Sequence, residues 1–195
     1  MAESFTGCCC DCYIGITHPN QSELLAFDTD KTKNFYRIFA DTIFQIIVKH
    51  NGLVRRRIGD GFEFYFPRTS DTNDLTAFIE MLECCIILIQ KQQDISNEMK
   101  LNNMPPISYK VTADYESVNL AGDNLWNKPL QAAYKIFTLT DLGTNILVIT
   151  ENLRSTLIKS PESSRYQFNS LGKISIANEK PNYGVYSVTR KLTTL

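Results

Sequence analysis

No apolar run in this chain approaches the roughly 20 residues needed to cross a bilayer, so a membrane-spanning role is not expected. An excess of either charge is also missing. The 20 Lys+Arg and 21 Asp+Glu leave a formal net charge of −1, which gives no global pull toward nucleic acid or anionic lipid. Histidine is scarce: His18 and His50 are the two present. Neither has a partner at metal-ligand or triad spacing, so no chemistry is assigned to them. Cysteine is present but not in zinc-like pairs. Cys8, Cys9, Cys10 and Cys12 crowd into CCCDC, and Cys84-Cys85 is not a C-x₂₋₄-C pair. Structural zinc usually needs such pairs, and small apolar strand residues are the better reading. The N-terminal MAESFTG lacks the basic start and apolar stretch of a signal peptide, and a cytoplasmic protein with reduced thiols is expected.

At 195 residues the chain reads as a single domain, 1–195, with room for a sizeable core. Its organising stretch is NGLVRRRIGDGFEFYFP, Asn51–Pro67. Leu53–Ile58 reads as one strand and Phe62–Phe66 as the next, joined by a turn at Asp60-Gly61. Phe62, Phe64 and Phe66 alternate, so one face of the second strand is buried. Asp60 then stands at the tip of a rigid ribbon, either as an ordinary turn residue or as a placed carboxylate.

Around the ribbon, 7–17 reads as a central strand. A helix capped by Asp28 or Asp30 carries Phe35, Phe39, Ile43 and Ile46-Ile47 on one stripe and stops at Asn51-Gly52. A long helix is expected over about 75–100 and a strand over 107–115. A shorter helix is expected over 125–137 around Trp126, a buried strand over 145–150 and a helical turn over 151–157. The tail supplies a last strand pair, 166–171 and 184–188. This order begins as a ferredoxin-like β-α-β-β-α-β unit. The fold class is therefore α+β, an antiparallel sheet with helices on one face, whose other face needs cover from the tail or a partner subunit. An RNA-binding module shares that architecture, but it needs exposed sheet aromatics beside a basic surface, and here the Phe face reads as core.

The residues resemble the catalytic domain of class III adenylate/guanylate cyclases, with small stand-alone archaeal members looking most similar. The family plan has a D-x-x-G-[FSI]-T strand end, a helix, a gG-x₅-GDG hairpin, a long helix, then a strand and a W-G-x-x-V-N-x-A-x-R helix. This chain offers Asp11-Cys12-Tyr13-Ile14-Gly15-Ile16-Thr17, Gly52 followed by Leu53–Ile58 and Gly59-Asp60-Gly61, and Trp126 to Lys135 as WNKPLQAAYK. The resemblance implies a head-to-tail homodimer that binds ATP or GTP with Mg²⁺ or Mn²⁺. In such a dimer two Asp-held ions serve in-line attack of the ribose 3′-hydroxyl on the α-phosphate.

Carried over residue by residue, the resemblance makes Asp60 the second metal ligand. The first falls on Cys12, with Asp11 one residue away and on the opposite strand face unless a bulge intervenes. Arg56 and Asn124 take the purine-reading positions. Gln131 stands for the ribose-orienting Asn and Lys135 for the transition-state Arg. A Lys lacks the planar fork of an Arg at phosphate, so the resemblance implies a cyclase-like domain of impaired turnover. The alternative is a nucleotide-binding or dimerisation domain of the same fold.

Overall fold

The computed structural model describes residues 6–17, 28–119, 132–139, 142–176 and 180–191. The first strand, β1 (Thr6–Ile16), runs through the cysteine cluster. Helix α1 (Thr29–Lys49) begins where Asp28 accepts a hydrogen bond from the Lys31 amide at 2.8 Å. That bond satisfies one of the free donors of the first turn. Its other end closes as a Schellman motif. Asn51 takes φ 60°, its amide bonds Val48 O at 3.1 Å, and the Gly52 amide bonds Ile47 O at 2.9 Å. The expected helix stop at Asn51-Gly52 is therefore this motif.

Strands β2 (Leu53–Ile58) and β3 (Gly61–Phe66) form the hairpin. A 3₁₀ turn at Pro67–Ser70 leads to α2 (Leu75–Gln90), which Asp74 caps. The single helix expected over 75–100 is two, because the chain bends at Lys91 and continues as α3 (Gln92–Leu101). Ser96 Oγ of α3 both donates to Ile107 O and accepts from Ile107 N, each at 3.1 Å. The second segment is thus stitched to the chain entering β4 (Tyr109–Asn119). Then follow α4 (Ala132–Phe137), β5 (Ile146–Thr150), α5 (Glu151–Leu157), β6 (Tyr166–Ile176) and β7 (Lys180–Arg190). The last two strands are longer than their apolar runs suggested, and residues 18–27 and the first part of the helix expected around Trp126 lie outside the described residues.

These strands make one seven-stranded sheet in the order β2-β3-β1-β4-β5-β7-β6. The first four strands are the ferredoxin-like set. The sheet is antiparallel except where β5 pairs parallel with β4, a geometry that needs a crossover connection. Cys10, Cys12, Ile14, Phe62, Phe64, Phe66, Tyr109 and Val111 pack on one face with apolar residues of α1, α2, α3 and α5. The helices are not all on that face. Short α4 lies on the other, where Ala132 and Ile136 meet Val148 and Val185, and so supplies part of the cover assigned to the tail or a partner. No helix among the described residues is long and apolar enough to cross a membrane.

One buried hydroxyl ties β1 to the end of the hairpin. Thr69 Oγ1 accepts from the Cys10 amide at 2.7 Å and donates to Phe66 O at 2.6 Å, with Thr69 fully buried. Thr69→Val keeps the shape but leaves the Cys10 amide without this acceptor. We expect a loss of about 1–3 kcal/mol, read as a lower urea midpoint at unchanged m.

Candidate functional site at the hairpin

The hairpin turn is set by Gly59 rather than by Gly61. Ile58 pairs with Gly61, leaving Gly59-Asp60 as a two-residue loop. Gly59 has φ 56°, and glycine at the first central position is the II′ pattern that suits the strand twist. Gly61 serves a different need, close approach. A Cβ there would stand 2.2 Å from Ile14 O and 2.4 Å from Tyr13 Oη. The turn is docked on β1 by the Ile16 amide, which bonds Asp60 O at 3.2 Å. Tyr13 Oη adds a bond to Ile58 O at 2.7 Å.

Asp60 is half-buried, and Tyr36 of α1 donates its hydroxyl to Asp60 Oδ1 at 2.7 Å. Burial, and then that bond to a carboxylate, push the Tyr36 hydroxyl up to about 12. The Arg57 guanidinium lies 4.8 Å from the Tyr36 ring centroid and donates to Gly59 O at 3.1 Å. Asp60 is therefore oriented by a helix and flanked by a cation. On the sheet face beside it, Tyr13 meets Tyr134 and Phe137 of α4 edge-on, at 4.9 and 4.7 Å between ring centroids. The helix that carries Lys135 is in this way laid against the strand that receives the turn. Lys110, buried in the same region, donates to Leu139 O at 2.9 Å, and burial lowers its ammonium below the usual lysine range.

Asp11 is elsewhere. The β1 register is unbroken from Cys10 to Gly15, with Asp11 opposite Tyr65 on β3 and Asp114 on β4. The bulge that could turn Cys12 or Asp11 toward the turn is absent from these ladders. Gly15 faces Gly61, which sets Asp60 across from Ile16, five residues beyond Asp11. At about 3.3 Å per residue this is roughly 16 Å along the strand. Cys12 points into the helix-covered core against Cys85, and burial raises its thiol well above the ordinary range. None of the six cysteines is in a disulfide, and no group of three His, Cys, Asp or Glu side chains among the described residues could hold a metal ion.

Arg56 lies on β2 with Nε 2.7 Å from Glu63 Oε2, and Arg55 Nη1 is 3.4 Å from Glu63 Oε1. The strand pairing slips between Val54 and Arg56, so both arginines meet one acid. Asn124 and Gln131 lie outside the described residues. Sequence reasoning missed Tyr36, Tyr13 and Glu63. Glu63 and Tyr13 were detectable as the polar and phenolic positions interrupting buried strands, whereas nothing local marks Tyr36 as the partner of Asp60.

No protein-family model matches the chain, and no curated protein matches it. Solved structures do. Over 95% of this chain and 93% of the other, it superposes on the guanylyl cyclase Cya2 with a TM-score of 0.76 at 11% identity. With the adenylyl cyclase CyaB from P. aeruginosa it shares 99% of both chains, a TM-score of 0.74 and 9% identity. The guanylate cyclase domain of RhGC from Catenaria anguillulae, a structure in complex with GTP, gives a TM-score of 0.69 at 10% identity, over 98% of this chain and 100% of that one. The fold of this chain is that of the class III adenylyl and guanylyl cyclase catalytic domains.

Proposed function

We propose that this is a nucleotide cyclase-like domain that binds ATP or GTP as a homodimer and whose cyclisation step is impaired. The observation that carries the second half is the continuous β1 register. Two-metal phosphoryl chemistry places its ions about 3.5–4 Å apart between shared carboxylates. Asp60 is held by Tyr36, Asp11 sits roughly 16 Å further along the sheet, and Cys12 is in the core. The described residues therefore do not fit a pair of Mg²⁺ or Mn²⁺ ions. Asp60 remains the acid best placed for a single ion accompanying a triphosphate. Arg56 and Lys135, with Asn124 and Gln131, are the proposed contacts to base, ribose and phosphate. The homodimer is proposed from the fold shared with cyclase catalytic domains.

The test is direct. The purified chain, with ATP or GTP and either ion, is expected to bind nucleotide in calorimetry while forming cyclic product far more slowly than the usual enzyme range of about 1 s⁻¹ and above. Turnover within that range would overturn the impairment. A variant locates the site: Asp60→Asn is expected to weaken manganese-dependent nucleotide affinity about tenfold, near 1.4 kcal/mol. Unchanged affinity would move the site away from the hairpin.

A further inference from the structure

Behind the turn, one guanidinium is buried with one edge unanswered. The slip between Val54 and Arg56 brings two consecutive arginines onto Glu63, which is itself 1% exposed. Bulges commonly re-aim a side chain in this way. Arg56 holds the carboxylate closely, at 2.7 Å, while Arg55 reaches it only through Nη1 at 3.4 Å. The Arg55 side chain is 4% exposed, and its Nε and Nη2 are both buried without a hydrogen-bond partner. A guanidinium does not escape this by losing its proton, and a buried charge left without its acceptors is strongly unfavourable. One acid thus answers two bases, and the acid is committed to the other one.

The two open nitrogens form a single edge of the guanidinium plane, with their N–H bonds parallel. That edge matches two oxygens held side by side, as in a carboxylate or a phosphate, and such bidentate pairs are the strongest ionic hydrogen bonds available to arginine. We propose that the Arg55 edge is a binding site for an oxyanion of this kind. The site does not depend on catalysis or on a metal ion. Its occupant has two sources of the same chemistry, a free anion or the phosphates of a bound nucleotide. Both nitrogens are closed to bulk solvent, so entry requires local opening and binding is read after equilibration.

Thermal unfolding of the full chain in a non-coordinating buffer, with ionic strength held constant by sodium chloride, tests this. Inorganic phosphate and acetate are the probes. Stabilisation growing with the logarithm of probe concentration is expected, with Tm rising by about 5 °C at roughly thirty times the Kd. Arg55→Met should lose that rise, and without anion it should melt no lower than the parent, because it removes a charge that lacks acceptors. Arg55→Lys keeps the charge but not the fork and should bind the probe at least about tenfold more weakly. ATP competing with phosphate for the same Arg55-dependent rise would identify a nucleotide phosphate as the source. An ATP effect that ignores phosphate and survives in Arg55→Met would leave the free anion as the occupant. The proposal is overturned if phosphate and acetate give no such rise in the parent, or the same rise in Arg55→Met.

Discussion

Cys12→Asp is expected to cost about 3–5 kcal/mol of stability at neutral pH rather than restore a metal ligand. Motif alignment invites this substitution, since Cys12 stands three residues before Gly15, where the resembling family keeps an acid. The register decides otherwise. Cys12 is fully buried among Phe64, Phe66 and Cys85 on the helix-covered face. The same burial that raises its thiol would raise the carboxyl of an Asp. The folded state would then hold a proton that the unfolded chain sheds above about pH 3.9. The deficit is therefore small below that value and grows as pH rises toward the folded-state pKa. Denaturant titrations from pH 4 to pH 8 should show the gap to the parent widening, while Cys12→Ser shows no such trend. A variant as stable as the parent at pH 7, with new manganese-dependent turnover, would mean that the β1 register is not the one described.

Gly61→Ala should be almost as damaging, by a different route. The added methyl would sit 2.2 Å from a backbone oxygen, Ile14 O, and within 2.6 Å of the Tyr13 ring and hydroxyl. Neither can retreat cheaply: Ile14 is in a central strand, and Tyr13 is wedged against Tyr134 and Phe137. Overpacking of this kind costs about 1–3 kcal/mol, and a clash with backbone belongs at the top of that range. Gly59→Ala is the natural comparison. Its Cβ would meet nothing within 4 Å, so its cost is confined to the φ of +56°, about 1 kcal/mol. Ala at 61 should also displace Asp60 and lower nucleotide affinity with stability, whereas Ala at 59 should leave affinity closer to the parent. The reverse order of damage would contradict the close approach of the hairpin to β1.

How much of this was legible beforehand depends on the range of the interaction. The Schellman stop at Asn51-Gly52, the Asp28 cap and the Phe62/Phe64/Phe66 alternation are local, and residue type over a few positions is enough to read them. The order of the first six elements followed from that, and the cyclase-like fold from that order together with the resemblance of the Gly52–Gly61 hairpin and its flanks. Asp60 was legible as a turn residue, but its bond to Tyr36 joins positions 24 apart, and no local pattern encodes it. The slip at Arg55 was equally hidden. Three arginines in a row look alike until the partner strand shows that two of them share Glu63. The parallel setting of β5 and the far-face position of α4 are matters of crossover direction, which an apolar run such as NILVIT does not carry. The break at Lys91 is set by where α3 meets Ile107, again a contact distant in sequence.

The place of β2 at the end of the sheet among the described residues also bears on how copies of this domain could meet. An edge strand exposes a row of free amides and carbonyls to which another chain's strand can add. Here that row is interrupted by the slip at Arg55 and carries the exposed cation of Arg57, so a second copy adding its own β2 would bring like charges together across a mismatched ladder. Growth of the sheet from molecule to molecule is therefore discouraged at this end, and the proposed pairing of two copies would have to use another surface.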